Sequence, residues 1–180
     1  YEDFIDRYPD HPDSEGLTFD IAKNSADVLD FDKALDYYGR ILTYFGEGEY
    51  ADGALINSAL LKIGKGDARG AATALEDYVE RFPEDPDLEA YLWMAAQQWE
   101  LVGDREALSF YTRYLNGRRG IDPGHTLDAL NWIAEHYEAT GNRRKDQAWT
   151  DLVDTCNEFL AAGQDPGRRG RHLAASVVLD

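Results

Sequence analysis

Two stretches that lie 74 positions apart constrain the fold of this chain more than any other feature. Asp77-Tyr78-Val79-Glu80-Arg81-Phe82-Pro83-Glu84-Asp85-Pro86-Asp87 nearly copies Asp3-Phe4-Ile5-Asp6-Arg7-Tyr8-Pro9-Asp10-His11-Pro12-Asp13, with Asp85 against His11 as the one change of chemistry. An offset of 74 is too long for one helical hairpin and suits two of about 37, and a mark stands at that interval: Asp67-Ala68-Arg69-Gly70-Ala71 follows Asp30-Phe31-Asp32-Lys33-Ala34 by 37 residues. Self-similarity at such a period signals stacked units, each too small to bury its own apolar faces without neighbours.

The periodicity between these marks is helical throughout. Residues 1 to 9 read as the tail of a helix that Pro9 stops. A helix from about Ser14 to Leu29 follows, then one from Phe31 to Phe45 with Ala34, Tyr38, Ile41 and Phe45 on a single stripe. Tyr50 to Ile63 gives another, and from Asp67 the stripe Ala71, Leu75, Tyr78, Phe82 runs to Pro83. Asp85-Pro86 predicts the start of a helix that reaches Val102, with the acid as N-cap and proline at the first helical position. Beyond it the pattern predicts Arg105 to Leu115, a loop from Asn116 to Asp122, a helix opened by Asp122-Pro123, and one from Arg144 to Ala162. Residues 169 to 179 read as the opening of a further helix. No run alternates in polarity, so the class is all-α. The expected organisation is one array over 1–180: the end of a truncated repeat at 1–13, helical units at 14–49, 50–86, 87–122 and 123–165, and a further or capping helix at 166–180.

Formal charge is −17, with 22 acids and 8 bases in residues 1 to 90 against 13 acids and 10 bases in the rest. Nucleic acid and anionic lipid surfaces are disfavoured as partners, because both need clustered Lys and Arg. No apolar run is long enough to span a bilayer, which argues against direct membrane insertion. His11, His125, His136 and His172 are scattered without the spacing of a metal site, the acidic loops lack a calcium-loop pattern, and no phosphate loop or nucleophile motif is present. Cys156 lies on an apolar stripe with Trp149 and Val153 and reads as an inert core thiol. The expectation is no enzyme, no metal and no cofactor.

In these positions the chain resembles the tetratricopeptide repeat family. Ala96, Trp99 and Gly103 match its small, aromatic and glycine positions, as do Ala134, Tyr137 and Gly141; Ala59, Gly66, Ala71 and Pro83 match in an earlier repeat, and Ala22, Ala34 and Tyr38 in the first. The chain departs from the pattern at Leu29, Lys62 and Asp146. Breaks at Leu29, Gly66, Gly103 and Gly141 fall 37, 37 and 38 apart, longer than the family's 34. The resemblance covers nearly the whole chain and implies a right-handed α-solenoid of antiparallel helix pairs. The phrase of aromatic, apolar, acidic, Arg, aromatic and Pro is similar to versions in bacterial envelope proteins, namely outer-membrane assembly lipoproteins, cell-division coordinators, and gliding or secretion machinery. This implies a periplasmic or outer-membrane-associated location.

The family's concave positions fall here on Phe19, Asp20, Lys23, Asp27, Asn57, Leu60, Trp93, Gln97, Glu100, Asn131, Glu135 and Glu138. The resemblance thus implies a groove that holds a partner protein segment, with Trp93 as the best single anchor and a basic or amphipathic ligand favoured by the acids. A terminal-carboxylate clamp is mostly missing, since its positions hold Phe19, Lys23, Asn57, Ala90 and Met94. Tyr37, Tyr44, Tyr50, Trp132 and Trp149 are expected in the inter-repeat core, while Arg118-Arg119 and Arg168-Arg169-Arg171 read as solvated basic loops. Phe4 and Ile5 at one end, and Leu173, Val177 and Val178 at the other, look like uncapped faces that allow self-association. The competing reading is a structural spacer or oligomerisation module with no peptide ligand of its own.

Overall fold

Corners recur in this chain because one short motif ends the first helix of a pair and begins the second. The computed structural model describes residues 1–118, 122–167 and 170, and every regular element among them is a helix. These are α1 (Glu2–Arg7), α2 (Ser14–Asp27), α3 (Phe31–Tyr44), α4 (Ala51–Gly64), α5 (Ala68–Arg81), α6 (Leu88–Glu100), α7 (Asp104–Arg118), α8 (Pro123–Ala139) and α9 (Lys145–Ala161). They group into two compact units, Tyr1–Val102 and Gly103–Asp180.

After α4, Gly66 takes a left-handed φ of +76°. Its N–H donates to the Ile63 carbonyl, and the Asp67 N–H donates to Lys62, both at 2.9 Å. This closes the orphan carbonyls of a helix end in the manner of a Schellman motif. Asp67 also caps α5 by accepting the Gly70 N–H at 2.9 Å, so one residue finishes one helix and starts the next. The α2–α3 corner repeats this, with Leu29 N–H on Ala26 at 2.9 Å, Asp30 N–H on Ser25 at 2.8 Å, and the Asp30 carboxylate accepting from Lys33. In the second unit Gly141 and Asn142 make the same pair of bonds, to Glu138 and Tyr137.

Leu29 is the exception in chemistry, since it holds φ +64° where the equivalent residues are glycine. A left-handed L-residue costs roughly 1–2 kcal/mol, partly offset here because glycine would loosen the unfolded chain. Leu29 is 74% exposed, so little burial is lost on truncation. Leu29→Gly is therefore expected to stabilise the protein by about 0.5–1 kcal/mol, read as a higher urea midpoint; a lower midpoint would show that this corner carries no strain.

Packing between helices is set by alanines. Ala22, Ala59 and Ala96 in α2, α4 and α6 are fully buried, as are Ala34 and Ala71 in α3 and α5. Tyr38 and Leu75 occupy matching buried positions of α3 and α5; in the second unit Ala134, Tyr111 and Leu152 are buried likewise. The linkers are tied to the helices by side chains. Glu15 of α2 accepts the Tyr50 N–H at 2.9 Å, and a Cβ on Gly48 would run into that carboxylate. The Arg81 guanidinium donates to the Gly46 carbonyl, fastening the same loop to α5.

Several expectations need correction. The helix after the second copied phrase begins at Leu88, not at Asp85-Pro86. The Asp85 carboxylate is engaged elsewhere, accepting the Tyr78 hydroxyl at 2.8 Å and the Asp87 N–H at 2.7 Å. Burial and that donation to Asp85 both push the Tyr78 phenol well above its usual range. At the first phrase His11 Nδ1 accepts the Asp13 N–H at 3.2 Å, and Asp13 makes no side-chain cap, so these residues shape turns rather than cap helices. Tyr8 is 56% exposed and leans on Phe4, their ring centres 5.3 Å apart. Ile5 is buried against α2 and α3 with Phe4 partly covered, so that face is not open. Helix α7 continues through the expected loop at Asn116 as far as Arg118. The readings at Leu173, Val177 and Val178, and of a helix over 169–179, lie outside the described residues apart from position 170.

Candidate functional site

Helical geometry sorts the concave-position residues by which side of each first helix they occupy. On α2 Asp20, Lys23 and Asp27 form one exposed stripe, while Phe19 is half-buried. The Phe19 ring lies 5.0 Å from Tyr50 and 5.7 Å from Tyr38, and a Cβ on Gly53 would come within 3.1 Å of it. Phe19 thus fills the join between α2 and the start of α4. On α4 Asn57 is half-buried and Leu60 is 47% exposed. On α6 Gln97 and Glu100 are exposed, but Trp93 is buried at 9% exposure. In the second unit Glu135 and Glu138 are exposed on α8, and Asn131 is buried with its amide donating to Glu135 at 2.7 Å, which fixes that carboxylate.

Lys23, Leu60 and Gln97 are 37 residues apart in turn and all exposed, so the repeat carries one solvent-facing position through three successive first helices of the first unit. Asp20, Asp27 and Glu100 surround it with carboxylates. Of the aromatics expected in the core, Tyr37 is buried beneath the Arg40 guanidinium, 4.6 Å from its ring centre. Tyr50, Trp132 and Trp149 are half-buried, and Trp132 stacks on His136 at 5.1 Å. Tyr44 corrects the expectation: it is the last residue of α3 and is 73% exposed.

The structure adds a feature that sequence reasoning missed. Three clefts share one place in the repeat, each walled by two successive second helices and floored by the first helix between them. One, of about 420 Å³, lies among α1, α2 and α3 and is lined by Ile5, Asp6, Pro9, Ser14, Thr18, Arg40, Tyr44 and Phe45. Another, of about 430 Å³, lies among α3, α4 and α5, with Leu42, Leu55, Ser58, Lys62, Thr73, Ala74, Glu76, Asp77 and Glu80. In the second unit, a cleft of about 360 Å³ lies among α7, α8 and α9, with Leu115, Leu130, Ile133, Tyr137, Arg144 and Asp151 in its lining. At 100° per residue, Leu55, Ser58 and Lys62 project from the opposite side of α4 to Asn57 and Leu60. A sequence signal was present in the run Thr73, Glu76, Asp77 and Glu80, which repeats on one helical face.

Cys156 is buried at 2% exposure, its thiol pushed up by that burial, with Sγ 3.4 Å from the Gly170 carbonyl. Among the described residues no group of His, Cys, Asp and Glu is placed to hold a metal ion, and no helix is long and apolar enough to cross a membrane. The side chains of Arg118, Arg119, Arg168, Arg169 and Arg171 lie outside the described residues.

No protein-family model matches the chain. No curated protein matches it either. Solved structures do. The nearly identical TPR-like repeats assigned to a kinesin light chain of Podosopora anserina superpose with a TM-score of 0.57 at 17% identity, over 86% of this chain and 78% of that one. A single-substitution form of those repeats gives 0.53 at 14% identity, over 84% and 78%. MamA protein gives 0.57 at 17% identity, over 93% of this chain and 88% of its own. At these identities the likeness establishes the fold: an all-α, TPR-like solenoid of helix pairs.

Proposed function

We propose that the chain is a non-catalytic scaffold that holds a segment of a partner protein against the exposed faces of its first helices. The observation that carries this reading is the stripe at Lys23, Leu60 and Gln97, left exposed at one repeat position while the buried faces of α2, α4 and α6 do the packing. A solenoid needs those buried faces to stack, and the remaining face is the surface it can offer. Asp20, Asp27 and Glu100 beside the stripe, with Glu135 and Glu138 in the second unit, favour a basic or amphipathic segment, which their charge would both attract and orient. Half-buried Phe19 and buried Trp93 and Asn131 would act by shaping this face, with Asn57 at its margin. Resemblance of the copied phrases to bacterial envelope proteins supports work in a cell-envelope assembly.

Site-specific photocrosslinking in the native host tests the reading. A photoreactive residue at Leu60 or Gln97 is expected to give discrete adducts with one protein, and one at exposed Glu84 in the linker to give none. Absence of adducts at both stripe positions would overturn partner binding here and leave the spacer function.

A further inference from the structure

We infer that the cleft among α1, α2 and α3 receives an arginine side chain from a partner protein, in the place that the chain's own Arg81 fills one repeat later. At the junction of α3, α4 and α5 the Arg81 guanidinium donates to the Gly46 carbonyl, lies 3.6 Å from the Asp77 carboxylate and covers the Phe82 ring at 5.6 Å. Thirty-seven positions earlier, Gly46 is matched by Pro9, Phe82 by Phe45 and Arg81 by Tyr44. The backbone that carries the acceptor is alike at both junctions. Tyr8 and Phe45 leave their helices at φ −131° and −128°, and each accepts an N–H from three residues on, His11 and Gly48. Pro9 and Gly46 follow them directly, so their carbonyls hold corresponding places. Tyr44 is exposed instead of filling the join, and Pro9, Tyr44 and Phe45 line a cleft of about 420 Å³. The cleft at the later junction has none of Gly46, Arg81 and Phe82 in its lining.

Along the second helices this beat reads Arg7, Tyr44, Arg81 and Arg118, and in α9 it falls on buried Thr155 and Cys156. Arg7 stands too early in the sequence for a loop 35 positions before it, the separation of Arg81 and Gly46, and the Arg118 side chain lies outside the described residues. Tyr44 and Arg81 are thus the two junctions seen whole, one open and one filled. What the open cleft offers is acceptors. The Ser14 and Thr18 hydroxyls of its floor donate to the Tyr8 and Ser14 carbonyls at 2.6 Å each, which leaves their oxygens with lone pairs alone, and no group among the described residues donates to the Pro9 carbonyl. Arg40 sits between Asp6 at 3.3 Å and Asp36 at 3.2 Å, one cation against two carboxylates. A guanidinium has five N–H donors and no acceptor, and its planar face lies well on an aromatic ring such as Phe45. A carboxylate or phosphate would meet only acceptors and a net negative charge. At 100° per residue Ser14 stands opposite Lys23 on α2, so this cleft is separate from the exposed stripe.

Nα-acetyl-arginine N-methylamide is the probe, and its citrulline counterpart, of the same shape without the charge, is the control. Titrated into the nitrogen-15-labelled whole chain, the arginine probe is expected to shift the amide signals of Asp10, Tyr44 and Phe45 along a saturating curve, with Kd on the order of millimolar for so few atoms. The citrulline probe should bind about tenfold more weakly or not at all. Tyr44→Arg supplies the missing side chain from within, and it should raise the urea midpoint and weaken probe binding by about tenfold. Tyr44→Gln leaves the cleft empty and should keep Kd within about threefold. Tyr44 is exposed, so both variants are expected to fold, which their amide spectra verify. Absence of saturating shifts in the wild type, equal binding of citrulline, or undiminished binding to Tyr44→Arg would overturn the proposal. Crosslinks at Leu60 and Gln97 do not depend on this cleft, so the two readings fail separately.

Discussion

Ala59→Leu is expected to lower the stability of the first unit by roughly 1–3 kcal/mol, toward the upper end of the range for an overpacked core. Ala59 has no exposed surface, and neither do Ala22 and Ala96, which stand 37 residues before and after it. Full burial at this repeated position means that any larger side chain must find its volume among packed neighbours. Interiors are packed as densely as organic crystals, so three added carbons must push α4 away from its neighbours α3 and α5 or force a strained rotamer. Urea denaturation followed by far-ultraviolet circular dichroism should show the midpoint fall with little change in slope, the sign of lost stability without a changed unfolded state. Leucine at exposed Ala90, on α6, is the control and should shift stability by no more than about 0.5 kcal/mol. A neutral Ala59→Leu would mean that alanine at this beat is not set by helix contact.

These alanines show why the fold could be read before the structure. Ala22, Ala59, Ala96 and Ala134 are legible because a packing constraint repeated in space must repeat in sequence, and the copied phrases around Pro9 and Pro83 mark the same beat. Corners were legible for the same reason, since Gly66 and Gly141 satisfy a φ that few residues tolerate. Helix starts were less so. Asp85-Pro86 has the chemistry of an N-terminus, yet Tyr78, seven residues earlier, takes the carboxylate, a contact that local propensity does not contain. Exposure was the least legible property. Family positions named Phe19, Asn131 and Trp93 alongside Leu60 and Gln97 as one surface, and register alone does not tell a side chain that faces solvent from one that leans into the next helix. The clefts were missed because each is built from three helices, and two of its walls lie a full repeat apart.

Trp93→Ala is expected to have the larger effect of the two, about 3–5 kcal/mol, the usual cost of emptying a buried aromatic site. Trp93 retains 9% exposure, and Leu92, Ala95, Ala96 and Trp99 on the same helix are buried with it. As a ligand anchor standing free in a groove it would behave in the opposite way, leaving stability nearly unchanged and costing affinity alone. The urea midpoint of Trp93→Ala separates these cases without any partner. Trp93→Phe keeps most of the apolar volume and should lose only a fraction as much. A large fall for alanine with a small one for phenylalanine places Trp93 in the packing that sets the helix register. A loss of binding in Trp93→Ala then reports distortion of the face that carries Gln97 and Glu100, whereas substitutions at those two exposed positions test contact itself. An unchanged midpoint for Trp93→Ala would return Trp93 to the ligand surface.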